Sequence, residues 1–257
     1  MVTEFEFALH PVAGETLLVD MWFSLDDAPA VLQKWRQLAV TASRQATFTA
    51  WVGEVDGKPQ VSAGFVWVGN PDDGLALLHE FRGLGRPVAE RVAEPSYLDL
   101  QRMDDTLEGH AQRRYWKGHY FKELPDEAIE AFVLRGTADG HGDALPNASF
   151  QVYGGAIADV PDEATAFSHR DTFLEFVAAA RWSDPAEDDQ RIQAARQYAT
   201  SLAPFASGAY VNVLTDEGQS GVKRAYPPEK LARLTALKDA WDPDNVFHLN
   251  HNIPPSK

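Results

Sequence analysis

Cysteine is absent from this chain of 257 residues. That removes disulfides, thiolate nucleophiles and cysteine-ligated zinc or iron–sulfur sites from consideration within it. Positive charge is scarce: 23 lysines and arginines face 38 aspartates and glutamates, a net charge of −15. Such a surface repels phosphate backbones and anionic lipid, because no basic stripe is present to release counterions, so neither nucleic acid nor a membrane is an expected partner. Long apolar runs are also missing. No uncharged apolar stretch approaches the ~20 residues that a membrane-spanning helix needs. The opening Met1-Val2-Thr3-Glu4-Phe5-Glu6-Phe7 alternates apolar and acidic residues, whereas a secretory signal would place a basic region before an apolar core. These absences make a cytoplasmic protein the expectation. What remains is ordinary globular material, 44% hydrophobic and 24% charged, long enough to bury a sizeable core.

Two periodicities alternate along the chain. Leu17, Val19, Met21 and Phe23 recur at every second position, as do Phe48, Ala50 and Val52, then Val61, Ala63, Phe65 and Trp67. Period two with one apolar face predicts strands lying on a core. Asp56-Gly57 suits a tight hairpin, because both central residues of such a turn need positive φ, and predicts an antiparallel pair over 47–55 and 59–68. Residues 147–158, 172–182 and 208–214 read as further strands. Val31, Leu32, Trp35 and Leu38 make a helical stripe after Asp26-Asp27, and Leu124-Pro125-Asp126-Glu127 opens a helix carrying Ile129, Phe132 and Val133. Asp184-Pro185-Ala186-Glu187 supplies a capping side chain, a proline at the first helical position and a glutamate three residues after the cap. A last helix runs from about Pro228 until Asp242-Pro243 stops it. The fold class expected is α+β: a large antiparallel sheet with helices packed on one face. No Gly/Ser linker divides the chain, so 1–205 reads as one α+β domain and 206–257 as a C-terminal segment packed on the same unit.

Familiar short motifs fail. Gly83-Leu84-Gly85-Arg86-Pro87-Val88 begins like a dinucleotide fingerprint, but valine stands in place of the third glycine and the run follows an apparent helix, not a strand. His248 and His251 have a spacing two metal ligands could use, yet no carboxylate or third histidine is close in sequence, and no metal is expected.

The last third carries a more specific series. Ala203-Pro204-Phe205, Tyr210-Val211-Asn212, Ala225-Tyr226-Pro227-Pro228-Glu229-Lys230, Leu234-Thr235-Ala236-Leu237-Lys238 and Asp242-Pro243-Asp244-Asn245-Val246-Phe247 follow in order. Together they resemble the C-terminal segment of berberine bridge enzyme-like FAD-linked oxidoreductases, within the vanillyl-alcohol oxidase superfamily. The resemblance extends upstream through Thr165-Ala166-Phe167-Ser168-His169-Arg170, Arg181-Trp182 and Arg114-Tyr115-Trp116-Lys117 to the opening residues, Val2 to Val12. It implies two modules: one binding FAD, and a broad antiparallel sheet that covers the flavin and holds the substrate. This chain matches the second, so FAD would be held mainly by a domain outside it. The implied reaction is hydride transfer from a substrate C–H to the flavin, assisted by a base.

Several residues are candidates for that work. Glu175, between Phe173-Leu174 and Phe176-Val177, is the first candidate base, since burial among apolar neighbours raises a carboxyl pKa toward a useful range. An exposed strand glutamate is the alternative. Tyr210 is a second catalytic candidate. In the family its Tyr-x-Asn motif is followed by a tyrosine, where this chain has Val213. The resemblance places Asn212, Asn245 and Asn250 on the flavin side. Tyr115, Lys117 and His119 alternate and so share a face of a strand. Tyr115 and Lys117, with Tyr153 before Gly154-Gly155 and His169, are candidate substrate contacts. A non-catalytic module that binds a small molecule or partner is the rival reading, favoured by Val213. Either reading leaves a flavin-facing surface, so an FAD-binding domain or subunit, or self-association, is expected to cover it.

Overall fold

The computed structural model describes residues 3–9, 11–12, 16–103, 105 and 112–257, so Met1, Val2 and His10 of the opening segment lie outside the described residues. The period-two runs become β1 (Thr16–Ser24), β2 (Ala46–Val55) and β3 (Lys58–Val68); the other strands are β4 (Ala89–Ala93), unanticipated from the sequence, β5 (Arg113–Phe121), β6 (Asn147–Val152) and β7 (Leu174–Trp182). They form one sheet in the order β4-β1-β3-β2-β6-β7-β5, with every neighbouring pair antiparallel. Asp56 and Gly57 take φ of 50° and 72°, and close the β2–β3 hairpin as the Asp-Gly pair requires.

Among the described residues eight α-helices accompany the strands: α1 (Ala28–Val40), α2 (Pro71–Arg82), α3 (Tyr97–Arg102), α4 (Asp126–Leu134), α5 (Ala156–Asp159), α6 (Asp188–Leu202), α7 (Gly218–Ala225) and α8 (Pro228–Trp241). Trp35 of α1, Phe81 of α2, Phe132 of α4 and Tyr198 of α6 all join the cluster made by Val19, Phe48, Phe65, Phe150 and Phe176. One face of the sheet is therefore covered by α1, α2, α4 and α6, which is the α+β arrangement expected, and the other is free of these four helices. Fully burying one such side chain stabilises by roughly 1.5–3 kcal/mol, so packing, more than helix propensity, fixes α6, a helix with many polar residues. Asp184 caps the 3₁₀ turn Pro185–Glu187 that leads into α6, accepting from the Ala186 amide at 2.9 Å.

The C-terminal segment solves an edge problem. β5 is the last strand, and its outward carbonyls would otherwise offer a template for pairing. The Ser207 amide donates to the Tyr120 carbonyl at 2.7 Å, the Tyr120 amide to Gly208 at 2.9 Å, and Thr215 Oγ1 to the Trp116 carbonyl at 2.7 Å. Residues 208–214 are accordingly not the strand their alternation suggested. They touch the sheet through one bridge at Gly208 and then turn, with a 3₁₀ helix at Val211–Val213. Likewise, the strand expected over 147–158 ends at Val152, because Gly155 (φ 54°) turns the chain into α5. No helix among the described residues is long and apolar enough to cross a membrane.

Candidate active site

Alternation along β7 decides where Glu175 points. Leu174 and Phe176 belong to the core cluster, so Glu175 lies on the helix-free face, opposite Tyr120 of β5 and Gln151 of β6. It is only 7% exposed. The Tyr153 hydroxyl donates to Glu175 Oε2 at 2.6 Å, whereas Oε1 is buried without a partner. The hydroxyl of Tyr120, 1% exposed, likewise has none. Burial pushes the Glu175 carboxyl above its ordinary range, against the Tyr153 donor, which favours the ionised form. Both phenols are pushed up, first by burial; the Glu175 charge adds to this.

An aromatic cluster surrounds the carboxyl. The Tyr120 ring lies 5.5 Å from that of Tyr153, 5.7 Å from His169 and 6.5 Å from Tyr210, centroid to centroid. Tyr120, Tyr210, Asn212, Phe167 and Tyr226 line a cavity of ≈ 220 Å³ that Tyr120 separates from the Glu175 carboxyl, which is not part of its lining. Asn212 donates to the Tyr210 hydroxyl at 2.7 Å, which fixes the phenol's orientation.

This wall is held by close backbone approach. A Cβ at Gly208 would come within 2.6 Å of the His169 ring, so only glycine lets the strap pass. His169 takes φ of 61°, and its Nε2–H donates to the Arg224 carbonyl at 2.9 Å. Arg224 in turn donates to the Gly118 carbonyl at 3.1 Å and to His119 Nδ1 at 2.6 Å, and His119 Nε2–H donates to Ala199 at 2.7 Å. Burial pushes the His119 imidazole down to about 4, consistent with the neutral ring this pattern needs. Val213 packs directly over Gly118, where any side chain would collide with it.

The structure brings Glu175, Tyr153, Tyr210, Asn212 and His169 into one neighbourhood. Tyr115 and Lys117 share a face, as their alternation requires, but it is the helix-covered one. There the Lys117 ammonium bonds Asp216 at 2.5 Å and Glu217 at 2.9 Å, and the Tyr115 hydroxyl donates to Asp216 at 2.8 Å. Their polar ends are committed to holding the 214–217 turn, so they do not face Glu175. Asn245 and Asn250 both adopt positive φ, 53° and 59°, in the turns after α8, a conformation asparagine tolerates; neither joins the Glu175 cluster. His251 Nε2–H donates to the Leu214 carbonyl at 2.9 Å, and His248 bonds nearby carbonyls. Among the described residues no group of three or more metal-ligating side chains occurs. Gly83 and Gly85 follow α2, and Gly83 has right-handed helical angles, so this run is a helix stop. Sequence reasoning missed Tyr120. Its signal was parity: it alternates out of phase with Tyr115, Lys117 and His119 and so faces the opposite way.

Residues 209–254 match the family described as Berberine and berberine like. An uncharacterized FAD-linked oxidoreductase of Bacillus subtilis, YvdP, is 22% identical over 264 residues, spanning 99% of this chain and 57% of that protein. The aclacinomycin-N/aclacinomycin-A oxidase of Streptomyces galilaeus is 29% identical over 211 residues, covering 73% of this chain and 38% of its own length. The chain thus spans about half the length or less of these relatives. Among solved structures, the BBE-like 1 protein of Physcomitrella patens superposes with a TM-score of 0.81 at 18% identity, over 96% of this chain and 56% of that one. Aclacinomycin oxidoreductase gives 0.80 at 18% identity, over 95% and 56%. These last two likenesses establish the fold.

Proposed function

We propose that this chain, which matches the berberine-like family over residues 209–254 and resembles FAD-linked oxidoreductases over nearly its whole length, is the substrate-binding and C-terminal part of such an enzyme, with Glu175 as the base. The observation that carries this reading is the buried Glu175 carboxyl on the helix-free face, one oxygen braced and the other without a partner. FAD, when bound, would accept hydride from a substrate C–H. Glu175 and Tyr120 fit a redox ring laid against this face, since both present polar groups unsatisfied within the chain itself. Gly83–Gly85 provides no cradle for the pyrophosphate, which supports FAD being held mainly by a separate module.

The chain's own part is then to orient, to exclude water and to move a proton. Glu175 Oε1 takes the proton of a substrate hydroxyl or phenol. Tyr210, steadied by Asn212, and Tyr120 line the cavity that would receive the substrate ring. Trp241 and Phe247, 85% and 73% exposed, with Leu249 beside them, support burial of the C-terminal turns against an FAD-binding module or a second copy. The test joins this chain to an FAD-binding domain and follows anaerobic bleaching of the flavin by chitooligosaccharides and aclacinomycin, compounds named for related oxidases. Bleaching that falls at least ~100-fold in Glu175→Gln is expected, the scale of a general base. Undiminished bleaching in that variant would overturn the assignment.

Val213, without a hydroxyl, occupies the wall over Gly118 and favours a second reading, a non-catalytic binding module. Saturable binding of those compounds with no flavin bleaching in any combination would select it.

A further inference from the structure

We propose that Tyr153 is the positioning residue of this site: its phenol fixes one oxygen of Glu175 and so leaves Oε1 as the single atom able to meet a substrate proton. The proposal rests on the reading of Glu175 as a base, and it names what holds that base in place.

The geometry separates the two oxygens. A glutamate side chain has three rotatable bonds, so a carboxyl with no anchor samples several directions. Here Oε2 accepts a 2.6 Å bond from Tyr153, in the short range typical of hydroxyl-to-carboxylate bonds. The anchor is itself anchored. Tyr153 lies one residue beyond β6, and its amide donates to the Phe173 carbonyl at 2.8 Å, prolonging the β6–β7 ladder. Its ring packs against Tyr120. Beyond it Gly155, at φ 54°, turns the backbone away, so the phenol stands on the last residue bonded to β7 before the chain leaves the sheet.

Tyr153 also screens the carboxyl. It lines an open groove of ≈ 670 Å³ together with Arg36, Lys122, Val152 and Phe173, and Glu175 does not reach that groove. The phenol thus stands between the base and a route for water from the end of the sheet. With Oε2 taken and Tyr153 closing that side, Oε1 is left buried without a partner, as are the Tyr120 hydroxyl and Ser168 Oγ on the cavity wall. A polar group left so in a water-poor place is costly unless a ligand satisfies it, which assigns Oε1 to the substrate and Oε2 to the protein.

The test uses the chain with ¹³C-labelled glutamate and tyrosine, and reads the Glu175 carboxyl and the Tyr153 phenol by NMR through a pH titration. Glu175→Gln identifies the carboxyl signal. In Tyr153→Phe the Glu175 midpoint is expected to rise further by about one pH unit, a tenfold change in ionisation, because the donor that favours the ionised form is gone. In Glu175→Gln the Tyr153 phenol is expected to titrate lower than in the parent chain, while its burial keeps it above a free tyrosine. A Glu175 midpoint that stays within about 0.3 of a pH unit in Tyr153→Phe would overturn the proposal. Should that variant not fold, an unchanged Tyr153 midpoint in Glu175→Gln would overturn it instead. These readouts need no flavin, so they separate from the base assignment: a Tyr153 shift with turnover intact in Glu175→Gln would retain the anchor and reject the base.

Discussion

The two faces of the β5–β7 pair are built from the same two strands and handle polar groups in opposite ways. On the helix-covered face, Lys117 meets Asp216 and Glu217, Tyr115 meets Asp216, and His119 is bonded at both ring nitrogens. On the helix-free face, Glu175 Oε1 and the Tyr120 hydroxyl are buried and partnerless. Buried polar groups are nearly always satisfied in folded chains, so the satisfied set reads as architecture, and the proposed site rests on the unsatisfied pair. Residue type does not separate the two sets, since each contains a tyrosine and an ionisable side chain.

The comparison breaks if the covered face behaves like a site. Lys117→Met removes the cation shared by Asp216 and by Glu217, which is nearly buried. It is expected to lower unfolding stability by about 3 kcal/mol, the low end for a severed buried pair because Asp216 is partly solvated. Urea denaturation measures this; a loss below about 0.5 kcal/mol would place the cluster among ordinary surface pairs.

A smaller effect sharpens the same contrast through pH. Burial holds His119 at about 4 in the folded chain, against about 6.5 when unfolded. Between those values the unfolded chain binds a proton that the folded chain does not, so the contribution is whole above about pH 6.5 and declines as pH falls toward 4. Roughly 2 kcal/mol should be lost over that window, allowing for partial solvation of the ring. Denaturation midpoints at pH 7 and pH 4.5 should therefore differ more in the parent chain than in His119→Gln. Equal differences would remove His119 from the account.

Much of this division was legible in the sequence, and the remainder was hidden for a definite reason. Period-two runs and Asp56-Gly57 gave the central strands, because side-chain parity and positive φ are local properties. Glu175 stood out as a carboxylate amid apolar residues. Its neighbours did not, since Tyr153 and Tyr120 reach it across strand pairings 22 and 55 residues apart (175 − 153 and 175 − 120). Alternation placed Tyr115 and Lys117 on one face without saying which face α6 would cover. The 208–214 segment alternates like a strand, yet it clamps the β5 edge through Gly208, which His169 holds at close range. β4 is short and mostly exposed, and it left no apolar signal.

The central claim is that the redox module lies on the helix-free face, and the cysteine-free sequence allows a direct measurement of it. Val177→Cys places one thiol on that face two residues from Glu175, and Gln190→Cys places one on the exposed side of α6. Maleimide labelling rates would be compared for the chain alone and the chain joined to an FAD-binding domain. The account predicts that Cys labelling at 177 slows at least ~10-fold in the joined protein, as burial in an interdomain interface demands, while labelling at 190 keeps its rate. Equal rates at 177 in the two forms, or protection at 190 instead, would contradict it.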